Sequence, residues 1–78
     1  MKEEITLDKL ELNSIGIIEK IDCEGIIKRR LLDLGLVKGT KIKPVLKSPS
    51  GDPRAFEFRG SLIAIRKEQT EKIYCKTV

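Results

Sequence analysis

Apolar and polar positions change their rhythm several times along this chain. Leu7 and Leu10 stand three apart in Leu7-Asp8-Lys9-Leu10-Glu11-Leu12, which fits a short helical turn or a covering arm. Residues 15–21 read as a strand, with β-branched Ile15, Ile17 and Ile21 expected on one face and Gly16 permitting a bulge or a close backbone approach. Over residues 24–34 the period lengthens. Ile27, Leu31 and Leu34 recur at helical spacing, Ile26 and Leu32 widen the stripe, and Lys28, Arg29 and Asp33 take the other side. Gly35 then closes the helix in the left-handed conformation, with Leu36 folding back onto Leu31.

Beyond the helix the period returns to two. Residues 37–40 form a turn around Gly39, and residues 40–47 form a strand. Lys41, Lys43 and Val45 are expected on its one face and Thr40, Ile42 and Leu46 on the other; Pro44, which cannot donate to a ladder, marks an edge or a bulge. Residues 54–59 alternate with Phe56 and Phe58 inward, Gly60 breaks the run, and residues 61–65 read as a more fully buried strand. Residues 67–72 suit one exposed helical turn, and 73–78 a last strand. The pattern predicts a mainly β fold: a small SH3-like barrel of about five strands, with one α-helix inserted after the first strand and a short helical turn before the last. Residues 1–78 form a single domain, and closure of the barrel would leave no edge for pairing between molecules.

Between the two central strands lies Ser48-Pro49-Ser50-Gly51-Asp52-Pro53. Glycine beside small polar residues can cradle phosphate, but only where a strand runs into a helix whose amides face the anion. Here the following period is two, so the segment is a hairpin tip, fixed in φ by Pro49 and Pro53, with Asp52 able to bond its own backbone.

Composition narrows the chemistry. The chain has no histidine, which removes the commonest general base and transition-metal ligand. The serines have no base beside them, and Glu24 next to Cys23 would raise that thiol's pKa rather than lower it. No catalytic residue, metal site or cofactor is expected. Cys23 and Cys75 read as small buried or half-buried thiols, with a disulfide open if two strand ends bring them together. No apolar run approaches the roughly 18–20 residues that cross a bilayer. Met1 to Glu4 is charged, unlike a signal peptide, so a cytoplasmic place and no membrane insertion are expected.

A net charge of +4, with Lys38, Lys41, Lys43 and Lys47 in one acid-free window, admits a basic nucleic-acid binder as an alternative. Against it, the three aromatics cannot furnish stacking platforms, nor the aromatic groove that grips proline-rich peptides. What remains is an aliphatic and basic surface for a folded partner.

Arg30-Leu31-Leu32-Asp33-Leu34-Gly35-Leu36, then Gly39-Thr40, the Ser48 to Pro53 loop, Gly60, Ile65-Arg66-Lys67 and Ile73 together resemble the FeoA family, over nearly the whole chain. Lys38 departs from the proline the family often carries before this glycine. The resemblance implies an SH3-like barrel with an accessory role in bacterial ferrous iron uptake, acting on the cytosolic GTP-binding region of the FeoB transporter. It does not imply iron binding by this chain. The family also includes barrels fused to iron-dependent repressors, but nothing in these residues supplies a DNA-reading unit. Candidate partner contacts are Arg29 and Arg30, whose adjacent guanidiniums suit an acidic surface; Leu31 and Leu34, which serve either docking or anchoring; Pro44, beside an apolar groove; Ser50 and Asp52 in the exposed loop; and Arg54 and Arg66. Weak self-association is compatible with such a surface.

Overall fold

The computed structural model describes residues 3–78; Met1 and Lys2, part of the charged start, lie outside them. Six antiparallel strands form one sheet: β1 (Glu4–Thr6), β2 (Gly16–Ile21), β3 (Lys41–Lys47), β4 (Arg54–Phe58), β5 (Ser61–Ile65) and β6 (Ile73–Thr77), in the spatial order β1-β6-β2-β3-β4-β5. A 3-10 turn over Leu7–Lys9 follows β1, helix α1 (Gly25–Asp33) follows β2, and the short α2 (Lys67–Thr70) precedes β6.

The mainly β, SH3-like reading holds, with three corrections. Among the described residues there are six strands, because the three-residue β1 pairs with β6 from the far end of the chain, Ile5 opposite Cys75. The helix therefore follows the second strand. The barrel also keeps an open seam: β1 and β5 end the sheet, and no ladder joins them among the described residues.

Leu7, Leu10, Ile18, Leu36, Ile42, Phe56, Phe58 and Ile73 fill the core, almost without exposure. Phe56 and Phe58 face inward as their alternation predicts. On β2 the expected phase is wrong. Gly16 and Ile18 are buried while Ile15 is exposed. A bulge between Ile18 and Lys20 then shifts the register, which brings Ile21 back against the core. Gly16 is closely packed: a Cβ there would lie 3.0 Å from Leu10 and 3.1 Å from the Cys75 sulfur, so those side chains would have to give way.

A second bulge, between Pro44 and Leu46 on β3, turns Leu46 outward, against the inward face expected for it. β5 is likewise no buried strand: Leu62 is 61% exposed and Ala64 is exposed, because they take the outward face in alternation with Ile63 and Ile65, which pack inward.

Helix α1 ends as its residues predict. Gly35 takes φ +95°, its N–H donates to Leu32 O at 2.9 Å, and the Leu36 N–H donates to Leu31 O at 2.9 Å. Thr40 locks the next turn. Its hydroxyl donates to Gly35 O at 3.0 Å and accepts from the Val37 N–H at 3.2 Å, with Gly39 at φ +94° between them.

Candidate functional site

The residues expected to meet a partner fall into separate environments. Leu31 is in the core at 4% exposure, so its role is to anchor α1; Leu34 is half-buried against the same cluster. Pro44 is fully buried opposite Phe56 and offers no groove. Arg54 is engaged inside the molecule. Its guanidinium donates to Asp8 O at 2.8 Å and Leu10 O at 2.7 Å, and it lies 5.5 Å from the Phe56 ring centre. That clamp ties β4 to the 3-10 turn across 46 and 44 residues of sequence.

The loop at residues 48–53 is a braced hairpin tip. Gly51 N–H donates to Ser48 O at 2.8 Å and the Ser50 hydroxyl to Asp52 O at 2.9 Å. Asp52, expected to bond its own backbone, instead accepts the Lys67 N–H at 2.9 Å and so fastens the loop to the start of α2. Ser50 stays exposed, as does Arg66, while Asp52 is half-buried.

Arg29 and Arg30 stand free on α1 with Lys28, in a helix that carries one acid, Asp33, at its end. Ile26 is 85% exposed, and Ile27 and Leu32 are exposed beside it. Periodicity assigned these apolar side chains to the widened inner stripe; only Leu31 is fully buried among the helical residues. The signal that should have warned of this is the excess of apolar positions on a helix nine residues long, more than one face can hide. Between α1 and β5 runs a small cleft of about 30 Å³, lined by Ile27, Arg30 and Leu31 on one wall and Ile63, Ala64 and Ile65 on the other.

The thiols are buried and free. Burial pushes Cys75 from an ordinary value of 9.0 up to about 11, with the nearby Glu4 carboxylate adding to the rise. Burial also raises Cys23, partly offset by Lys72; its sulfur donates weakly to Gln69 O at 3.7 Å. Neither is a ready nucleophile near neutral pH. Among the described residues no three His, Cys, Asp or Glu side chains converge into a metal-binding group. No helix there is long and apolar enough to cross a membrane. The lysines of β3 face solvent or pair locally, Lys43 standing 3.9 Å from Glu57 directly across the ladder. Both phenylalanines lie in the core, and Tyr74, half-buried on β6 with the Lys20 ammonium 6.0 Å from its ring centre, is the one aromatic left at the surface.

Strand order, bulges and capped helix define a small antiparallel β domain of the SH3-like class, with an exposed surface that is apolar and basic. The chain belongs to the FeoA domain family, whose model matches residues 5–77. Its fold superposes on the FeoA protein of Chlorobium tepidum with a TM-score of 0.90 at 31% identity, covering 95% of this chain and 70% of that one. The FeoA of Stenotrophomonas maltophilia, a prokaryotic SH3 domain protein complexed with zinc, matches at TM-score 0.80 and 28% identity over 91% of this chain and 88% of that one. A Porphyromonas gingivalis fusion of Fe(2+) transport protein A with the Fe(2+) transporter FeoB is 27% identical over 67 residues, 86% of this chain. This chain spans 8% of that fusion's length.

Proposed function

We propose that this chain is a non-enzymatic accessory protein of ferrous iron uptake that works in the cytoplasm by docking on the cytosolic, GTP-binding region of a FeoB-type transporter. The observation that carries the reading is the P. gingivalis relative, in which an FeoA segment and FeoB share one polypeptide. Fusion holds two modules at high effective concentration, and that is useful where they must touch. The S. maltophilia FeoA is itself put forward as a ferrous iron transport activating factor.

The chemistry of the surface agrees with action by contact. The exposed groups on α1 are Arg29, Arg30 and Lys28 beside Ile26 and Leu32. Adjacent guanidiniums next to aliphatic side chains suit an acidic, partly apolar partner. Arg66, Ser50 and Asp52 are secondary contacts in the same reading.

Titration of the isotope-labelled domain with the purified cytosolic region of the transporter, with and without GTP, tests it. Resonances of α1 are expected to shift, and Arg29→Glu with Arg30→Glu is expected to weaken binding by at least tenfold without unfolding the domain. No shift under any nucleotide condition would overturn direct docking there.

A further inference from the structure

The hairpin joining β4 to β5 turns on two residues, Arg59 at φ +50° and Gly60 at φ +78°, with Phe58 opposite Ser61 as the closing pair. Such a turn makes the closing pair a hydrogen-bonded one, and bonding alternates along an antiparallel ladder. Phe58 with Ser61, Phe56 with Ile63 and Arg54 with Ile65 therefore exchange bonds across the ladder. Leu62 and Ala64 stand at the pairs between, so their N–H and C=O groups point away from β4. β5 has no further strand beside it, and among the described residues no backbone bond outside the ladders involves Leu62 or Ala64. Both residues are also exposed.

Soluble proteins usually blunt such an edge with charge, proline or a bulge. β5, Ser-Leu-Ile-Ala-Ile, has none of the three: it is uncharged and proline-free, and its register with β4 is continuous. The cleft between it and α1, at about 30 Å³, is too small to enclose a ligand, so whatever binds here must lie alongside. Cations stand at the helix side and at the strand's end, while Glu57 of β4 lies opposite Leu62. Arg30 forms the helical wall, Lys28 and Arg29 are exposed on the same helix, and Arg66 directly follows the strand.

From this we infer that the β5 edge is a strand-addition site. It takes an extended acidic segment of a protein partner, which hydrogen-bonds to Leu62 and Ala64, sets carboxylates toward Arg30 and packs apolar side chains against Leu62. Main-chain bonds supply affinity in this mode, and alternate side chains supply specificity. A second copy of the chain fits less well. Antiparallel self-pairing about Ile63 would set Arg66 of each copy against the Arg59–Gly60 turn of the other, bringing like charges together. The inference deepens the docking reading, and rests on it only for the natural partner's identity.

Amide hydrogen exchange resolves the outcomes. One arm adds a short acetylated peptide of alternating glutamate and valine; the other adds the cytosolic region of the transporter. Slowed exchange at the Leu62 and Ala64 amides, with Ile63 unchanged, supports strand addition. Leu62→Pro removes an outward donor without touching the ladder to β4, and is expected to lower peptide affinity at least tenfold. Should that variant fold poorly, Arg30→Glu must give a similar loss. Protection by the peptide while the transporter region stays unbound would uphold the site and overturn the docking reading. Transporter binding with no protection at Leu62 and Ala64 would do the reverse. If neither ligand binds, both fall; protection that rises with protein concentration alone would replace the acidic segment with a second copy.

Discussion

The two outer strands of the sheet are finished in opposite ways. β1 is three residues long, begins with Glu4, and runs at once into a 3-10 turn whose Leu7 is fully buried and whose Asp8 carbonyl is held by Arg54, as is that of Leu10 just beyond it. β5 is five residues long, carries no charge, and leaves Leu62 and Ala64 exposed. One end is short, charged and strapped down, which leaves few outward peptide groups to pair. The other is apolar and unstrapped. That difference separates an edge tied into the fold from one left uncovered, and it makes definite demands on each residue involved.

Breaking the strap is expected to have the largest effect. Arg54→Ala removes both donors from the Asp8 and Leu10 carbonyls and uncovers one side of the Phe56 ring. Unfilled, partly buried carbonyls and two lost charge-assisted bonds together predict a loss of about 2–4 kcal/mol in urea unfolding. A loss under about 0.5 kcal/mol would mean that β1 and its turn are held by burial of Leu7 and Leu10 alone.

Next comes pH, through Cys75, which stands opposite Ile5 of β1 and is completely buried. Its thiol is raised from 9.0 to about 11 in the folded protein. The folded state therefore keeps the proton in a range where the unfolded chain gives it up. This group's contribution is fully present below pH 9 and is lost as pH rises toward about 11. Unfolding free energy should fall through that window, by about 3 kcal/mol at most for a rise from 9.0 to about 11, and Cys75→Ala should flatten the fall. A slope that persists in the variant would place the alkaline transition on other groups.

The strap also marks where reading along the chain reaches its limit. The α1 cap was legible because its chemistry is local: Leu31, Gly35 and Leu36 lie within six residues, and a Gly-closed helix makes its bonds inside that span. Phe56 and Phe58 were legible because β4 is regular and a two-residue turn follows it. The phase of β2 was not. Gly16 contributes no hydrophobic signal although it faces the core, and the bulge between Ile18 and Lys20 resets a period of two without altering composition. Leu46 was misplaced for the same reason, by the bulge after Pro44. Nothing local announces that β1 pairs with residues about 70 positions away, or that Arg54 spends its donors on carbonyls rather than on a partner. The surface was half legible: Arg29 and Arg30 are free as their spacing suggests, while Pro44 and Leu31 belong to the interior. Arg29 and Arg30 read well because a charge with no partner inside must meet water, whereas Ile21 and Leu46 are placed by bulges that only the assembled sheet sets.

The smallest expected effect sharpens the contrast most. Leu62→Lys places a charge on an outward, 61% exposed position of β5. No core contact is lost, so stability should change by no more than about 0.5 kcal/mol. The same substitution at the other edge, Ile5→Lys, forces a charge onto a half-buried residue packed against the core and should cost about 2 kcal/mol. Parallel urea titrations of the two variants give the answer directly. Equal losses would mean that β5 is covered in solution and that both edges are finished alike. Unequal ones, with Leu62→Lys near neutral, leave the uncharged edge without a role in stability, and lysine is the residue that edge strands elsewhere use to prevent pairing. Its absence from β5 is then what the proposed strand-addition site requires.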